Sequence, residues 1–302
     1  DPERFADLIR SLPETVHRDF TPFERLYLAS VKLAVRDEVN VLILEAGMGG
    51  RWDATSALPA DWTVLTSVDR EHTQFLGETR EQILREQLAQ VPDGTRLITP
   101  PLEDPDLEPV LAEHVEQRTL THVQVPQHED VDALNRALAL TLAGCVGETP
   151  AGQLSDRLRD VNRPPGRKEV LPWKNRSVIL DVAHTPAALR EWIRFTRERN
   201  DGDEPPVFLY GSLRGKELED LADVLRRELP ADNLLLPRPP SPRGLHPDEL
   251  ARYWTEAGDS PPAVEPDPQQ AWSRLVQKVE ERRTVSVAGS FTLVGYLREI
   301  LL

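Results

Sequence analysis

The amino-acid sequence predicts an α/β protein built on mostly parallel sheets, and three observations carry that prediction. Short apolar runs alternate with longer stretches whose apolar residues recur at helical spacing. Several of the short runs end on a glycine or a carboxylate, as loops at the carboxyl ends of buried parallel strands do. The alternation stops once, at Arg163-Pro164-Pro165-Gly166-Arg167, and then restarts. The sequence therefore divides into a domain over 1–162, a linker at 163–167 and a second domain over 168–302.

In the first domain, Pro2–Leu12 places Phe5, Leu8, Ile9 and Leu12 at helical spacing. Thr21 and Pro22, with Glu24 in the first turn, mark a helix start. Phe23, Leu26, Leu28, Val31, Leu33 and Ala34 carry that helix to about Asp37. Val41–Leu44 is a continuous apolar run, predicted to be a buried parallel strand that ends on Glu45. Asp61–Val68 is a second strand ending in the polar cluster Asp69-Arg70-Glu71-His72-Thr73. A helix over Thr79–Gln90, strands at Thr95–Thr99 and His122–Val125, and an apolar helix over Val131–Cys145 complete the layer.

Beyond the linker, Ser177–Asp181 reads as a strand and Pro186–Arg199 as a helix. A strand at Pro206–Tyr210 precedes Gly211 and Gly215, and a helix runs from Lys216 to about Glu228. Asn233–Leu236 is a short strand, followed by helices at His246–Ala257 and Gln269–Glu281. Thr284–Val287 is the last strand and Phe291–Leu302 the closing helix.

Composition narrows the function. The 36 basic and 51 acidic residues leave a net charge of −15 with no basic tract, which argues against nucleic acid as a partner. The single cysteine, Cys145, excludes an internal disulfide framework and suits a reducing cytoplasm. No apolar run approaches the roughly 20 residues needed to span a bilayer, no signal peptide opens the sequence, and no membrane partner is expected. The first residue is Asp1, so the chain is expected to be processed or a piece of something longer.

The stretch Val41–Ser56 concentrates the chemistry. Glu45 at a strand end suits a metal or a cationic group, and Gly47, Gly49 and Gly50 let backbone N–H groups approach a ligand closely. A tight turn with a solvated glutamate would read the same way. His72, at the next strand end, would complete a carboxylate–imidazole pair for a divalent cation, or would be a surface histidine beside Asp69 and Glu71. In the second domain Asp181-Val182-Ala183-His184-Thr185-Pro186 closes a strand and opens a helix. That is a place to hold an anion or a ribose, with Thr185 as N-cap and Pro186 at N1 in either case.

The motifs ILEAGMGGRWDATS, TSVDREHTQFLG, NRALALTLAG, PPGRKEV, VILDVAHTP, PRPPSPRGLHPDEL and AGSFTLVG stand in the order expected of folylpolyglutamate synthases. Across the whole chain the sequence resembles the bifunctional bacterial form that is also a dihydrofolate synthase, within the Mur ligase superfamily. The resemblance implies a Mur-ligase-like central domain with a mostly parallel sheet and a C-terminal Rossmann-like α/β domain. It implies an ATP-dependent ligase that phosphorylates a dihydropteroate or folate carboxylate and lets the amino group of L-glutamate attack the acyl phosphate.

Carried over position by position, Glu45 and His72 match the family's Mg²⁺ ligands. Trp52, Asp53 and Ala54 fall where the family contacts dihydropteroate. Asn135, Arg167 and Asp181 fall where it contacts ATP, with His184 in the same nucleotide motif. Ser290, in AGSFTLVG, reads as the cap of the last helix rather than as a catalytic group.

Three departures stand out. No G-x-x-x-x-G-K-[ST] phosphate loop occurs in the sequence, and Lys216 after Gly215 does not form one. The family carries that loop upstream of its counterpart to Asp1, so Asp1 is expected to lie roughly 100 residues into a full-length protein. Gln87 stands where the family has a catalytic, carbamylated lysine, and Thr185 replaces the Asn of the family's His-Asn-Pro.

A monomer is expected, a separate chain supplying the phosphate loop is one reading, and an inactive ligase-derived binding protein or half of a split enzyme is the alternative. A dinucleotide oxidoreductase fits poorly. Trp52 occupies the third glycine's place in the fingerprint, and Pro59 lies where the helix should run.

Overall fold

The computed structural model describes residues 2–70, 72–128, 130–147, 153–154, 163–200, 204–215, 218–278 and 283–302. The chain folds as two compact units, Asp1–Val161 and Asn162–Leu302. The expected linker, 163–167, falls within the second.

In the first unit, helices α1 (Pro2–Arg10), α2 (Glu14–Asp19) and α3 (Pro22–Arg36) come first. The Thr21 side chain accepts from the Glu24 N–H while Glu24 reaches back to the Thr21 N–H, so the expected start of α3 is a capping box. A 3₁₀ turn at Ala54–Ala57 leads to β1 (Trp62–Val64), α4 (Thr73–Leu76) and α5 (Arg80–Leu88). β2 (Arg96–Thr99), a 3₁₀ turn at Pro105–Leu107, α6 (Glu108–Gln117), β3 (Thr121–Gln124) and α7 (Val131–Val146) follow.

The three strands form a parallel sheet in the order β1-β2-β3, with Thr63 opposite Leu97 and Leu97 opposite His122. Successive side chains on β2 take opposite faces. Leu97 joins Leu84, Leu88, Val110 and Leu111, whereas Ile98 joins Val125 and Leu138. The central strand is therefore covered by α5 and α6 on one side and by α7 on the other.

Two corrections belong here. Val41–Leu44 forms no strand, and Val41, Leu42 and Ile43 are exposed, Ile43 to 81%. Among the described residues β1 pairs with β2 alone, so the run has no ladder to join, and apolar sequence without a pairing partner does not make a buried strand. The second correction is α6, which the sequence reading passed over. Leu107, Val110, Leu111, His114 and Val115 carry helical spacing, and Pro109 sits in the first turn, where its missing N–H costs nothing.

The second unit holds β4 (Glu169–Trp173), β5 (Arg176–Leu180), α8 (Pro186–Glu198), β6 (Val207–Tyr210), α9 (Leu218–Glu228) and β7 (Leu234–Leu236). Then come α10 (Pro247–Glu256), β8 (Ala263–Val264), α11 (Pro268–Lys278), β9 (Val285–Ala288) and α12 (Phe291–Leu301). The expected helix start at Lys216, the end at Glu281 and Glu71 of the polar cluster lie outside the described residues. The sheet runs β4-β5-β9-β6-β7-β8, parallel except for β4, which pairs antiparallel with β5 at one edge.

β4 was missed because Pro172 interrupts it, and proline is confined to edges such as this one. Phe208 and Tyr210 face a core with Trp192, Leu225 and Trp254, while Val207 and Leu209 face Trp272, Leu293 and Leu297. The buried Ser286 is satisfied by Trp192 Nε1, which donates to its hydroxyl at 2.6 Å, and by Thr196 at 2.8 Å.

Candidate functional site

In the first unit the candidate residues gather around the loop from Glu45 to Ser56. Two glycines there are dictated by close packing. A Cβ on Gly49, whose φ is +65°, would sit 2.5 Å from Leu76 Cδ2, and one on Gly50 would sit 2.7 Å from the carbonyl oxygens of Glu86 and Gln87. The loop therefore lies against α4 and the end of α5. Arg51 Nε adds an ion pair to Glu86 at 2.9 Å. His72 is the N-cap residue of α4, held at φ 53°, a conformation uncommon for a residue with a side chain. Gln87 donates from Nε2 to the Ser67 carbonyl at 3.4 Å, while its Oε1 is buried with no hydrogen-bond partner.

These contacts link the segments that carry Glu45, His72 and Gln87. Among the described residues no group of three or more His, Cys, Asp or Glu side chains gathers to hold a metal ion. A carboxylate and an imidazole are donor types that suit a hydrated divalent cation whose remaining positions go to water or phosphate, while the Gln87 oxygen is buried away from solvent. Glu45 and His72 are both exposed, which leaves them open to such an ion. Trp52 is 90% exposed at the tip of the loop, and Ala54 opens the 3₁₀ turn capped by Asp53.

In the second unit the expected nucleotide residues Asp181 and His184 sit past the end of β5. Asp181 is 8% exposed. Its Oδ2 accepts the Lys168 N–H at 2.9 Å and its Oδ1 the Ala183 N–H at 2.7 Å. Burial pushes its carboxyl pKa up, opposed by those two N–H groups and by the charges of Arg167 and Lys168. His184 donates from Nδ1 to the Val182 carbonyl at 2.8 Å, so Nε2 is the basic nitrogen. Thr185 caps α8 through the Ala188 N–H at 3.2 Å, with Pro186 at N1, as its sequence implied.

Arg167 lies over the Phe291 ring at 5.3 Å, beside the start of α12. Ser290 caps that helix by accepting the Leu293 N–H at 3.2 Å. Arg167, Asp181 and His184 thus share one end of the second unit. Asn135 is an exposed residue of α7 in the first. The sequence reading missed Lys168, whose backbone N–H holds Asp181 and whose Nζ pairs with Glu191 at 2.5 Å. Its signal was its place beside Gly166 and Arg167, two residues that the reading had already singled out.

The model of the Mur ligase glutamate ligase domain matches residues 166–291. A dihydrofolate synthase/folylpolyglutamate synthase of Escherichia coli is 25% identical in an alignment that covers 99% of this chain and 78% of that protein. The folylpolyglutamate synthase of Mycobacterium tuberculosis, solved with ADP and AMPPCP, superposes with a TM-score of 0.84 at 19% identity, over 100% of this chain and 79% of that one. The bifunctional enzyme of Yersinia pestis, solved with AMPPNP and a Mn ion, gives a TM-score of 0.75 at 24% identity, over 94% and 72% of the two chains. Among the described residues no helix is long and apolar enough to cross a membrane. Residues 166–291 thus match a Mur ligase glutamate ligase domain, and the chain is similar over nearly its whole length to dihydrofolate and folylpolyglutamate synthases.

Proposed function

We propose that this chain serves the ATP-dependent joining of L-glutamate to a dihydropteroate or folate carboxylate in the cytoplasm. The observation that carries the reading is the buried Asp181, held by two backbone N–H groups at the carboxyl end of a parallel strand, with Arg167 and His184 beside it. Arg167 offers a fixed positive charge to a nucleotide, and the start of α8 offers the positive end of its dipole to an anion. When bound, Mg²⁺ would neutralise the transferring phosphoryl group, with Glu45 and His72 as its protein ligands. The amino nitrogen of glutamate then attacks the acyl carbon and inorganic phosphate leaves.

The sequence contains no phosphate loop, so the grip on the β- and γ-phosphates is assigned to a segment outside residues 1–302. The alternative, an inactive ligase-derived binding protein, is favoured by the neutral Gln87 with its orphaned oxygen.

The test is ADP release by the purified 302-residue chain with MgATP, dihydropteroate and L-glutamate, alongside calorimetric titration with ADP. Nucleotide binding without turnover is expected. Turnover at enzyme rates would place the phosphate grip inside this chain, and absence of any nucleotide binding would overturn the assignment of Arg167, Asp181 and His184.

A further inference from the structure

The segment between β7 and α10 is Pro237-Arg238-Pro239-Pro240-Ser241-Pro242-Arg243-Gly244-Leu245-His246. Its prolines fix φ at four positions, and hydrogen bonds fix the rest. The Arg238 N–H donates to the Pro266 carbonyl at 3.1 Å, the Ser241 N–H to the Pro239 carbonyl at 2.8 Å and the Gly244 N–H to the Ser241 carbonyl at 2.9 Å. The Arg243 N–H donates to Ser241 Oγ at 3.2 Å, the Leu245 N–H to the Ser212 carbonyl at 3.0 Å and the His246 N–H to Glu249 Oε1 at 3.2 Å. A Cβ on Gly244 would run into the Pro239 carbonyl oxygen. The loop after β6 is tied in as well, because the Arg214 N–H donates to the Arg243 carbonyl at 2.8 Å and Leu213 bridges Gly244.

Two guanidinium groups stand on this platform. Arg238 is anchored by Nε, which donates to the Gly244 carbonyl at 3.2 Å, and Arg243 by Nη2, which donates to the Arg214 carbonyl at 3.2 Å. Both residues are exposed, and among the described residues neither pairs with a carboxylate. The acids close by have other partners: Glu249 pairs with Arg214 at 2.9 Å, and Asp248 lies 3.2 Å from His246 Nδ1. In a chain of net charge −15, two uncommitted arginines on a fixed backbone make a local site for an anion.

The backbone decides which anion. Every N–H from Pro237 to His246 is already used, so the platform offers no nest of amides of the kind that cradles phosphate. What it offers is two planar forks, one at the Gly244 carbonyl and one at the Arg214 carbonyl, and such forks match carboxylates.

We infer that Arg238 and Arg243 bind the two carboxylates of a short dicarboxylate, and that this ligand is the incoming L-glutamate. The identification with L-glutamate rests on the reading of the chain as one that joins it to a folate carboxylate; the dicarboxylate site does not. β7 is three strands from β5 in the sheet, and neighbouring strands lie about 4.8 Å apart, so the two strand ends are about 14 Å from each other. That separation leaves Asp181 and His184 clear for the nucleotide, and the two ligands lie side by side along one edge of the sheet.

The test is a titration of the isotope-labelled 302-residue chain by nuclear magnetic resonance. It is followed at the Gly244 and Leu245 amides and at the Arg238 Nε–H, whose bond to the Gly244 carbonyl slows its exchange with water. L-Glutamate at millimolar concentration is expected to shift all three signals. Glutarate, which lacks the amine, should bind as well, and L-glutamine, which lacks the second carboxylate, about tenfold more weakly. Arg238→Gln and Arg243→Gln should each weaken L-glutamate about tenfold, and Arg238→Lys, which keeps the charge but not the fork, about threefold. Arg227→Gln, at an exposed arginine paired with Asp223 on α9, should leave binding unchanged.

No shift with about 50 mM L-glutamate would overturn the inference, and so would unchanged affinity in both Gln variants. Inorganic phosphate acting at lower concentration than L-glutamate would make this a phosphate site and overturn it too. Binding of glutarate without L-glutamate would overturn the choice of ligand alone. The signals of the remaining sheet report whether each variant is folded. ADP, read at the Ala183 amide in the same spectra, decides the nucleotide reading separately, so the failure of either reading is distinguished from the failure of the other.

Discussion

The two units start from similar sequence patterns and finish differently. In the second, six strands share one sheet, and both faces of its central strands β5, β9 and β6 are covered. In the first, among the described residues, three short strands form the sheet, and a fourth apolar run, Val41–Leu44, has no strand partner. Among the described residues, Phe23, Leu26 and Val35 of α3 are exposed too, and Ala29 is the one buried residue of that helix. A parallel strand is stable only when ladders and helices close around it. Apolar sequence supplies the material for burial, but pairing decides whether burial happens.

The largest expected effect tests that contrast directly. Trp192 is fully buried, stacks edge-on to Phe208 at 5.1 Å and donates to Ser286. Trp192→Ala should destabilise the second unit by about 3–5 kcal/mol. Ile43→Ala, an equally drastic deletion on paper, should stay within about 0.5 kcal/mol, because little contact is lost. Urea denaturation followed by circular dichroism measures both. A loss of several kcal/mol for Ile43→Ala would show that the run is packed in solution.

The same contrast explains what the sequence could show. Periodicity placed most helices, and the local chemistry of Thr21-Pro22, Thr185-Pro186 and Ser290 placed their starts, because a cap bonds to N–H groups two or three residues away. Pairing partners are non-local, so nothing within Val41–Leu44 could reveal that it lacks one, and Pro172 within Glu169–Trp173 hints at an edge but not at the antiparallel partner. At the candidate site the residue types were legible from the motifs. The hydrogen bonds of the Asp53 carboxylate were not, since it accepts the backbone N–H groups of Gly47, Met48 and Thr55, whose conformation had first to be known.

An intermediate effect is expected from pH, and it belongs to the second unit. Burial raises the Asp181 pKa above its ordinary 3.8. The folded chain therefore holds that proton more tightly than the unfolded chain. Its contribution is fully present below pH 3.8 and is lost as pH rises through the folded pKa. Glu169 runs the other way. Burial alone would raise its pKa, but Arg298 and the Gly166 N–H lower it below 4.5, so its contribution is present above 4.5 and is lost as pH falls. Denaturation midpoints of the unmodified chain and Asp181→Asn should accordingly converge as pH falls toward 3.8, with Asn the relatively more stable at neutral pH. A difference independent of pH would mean that Asp181 does not ionise at an altered pKa.

The smallest expected effect on stability, and the sharpest on function, concerns Gln87 in the first unit. Lys and Gln have similar helix propensities, so α5 itself should not distinguish them. An orphaned buried amide oxygen carries a desolvation cost of about 1–3 kcal/mol, and Gln87→Lys removes it. A lysine could also donate to the Ser67 carbonyl that Gln87 Nε2 now reaches. Against these gains stands the cost of bringing an ammonium into a half-buried place. The opposing contributions should leave Tm within about two degrees of the unmodified chain, as thermal unfolding will show. In a Gln87→Lys chain supplied with a phosphate-loop segment and bicarbonate, carbamylation of the introduced lysine would restore one negative charge where Gln offers a neutral oxygen, and ligase activity should rise. Equal activity for the two would show that this lineage has no need of the charge, and inactivity of both would favour a protein that binds the ligands without joining them.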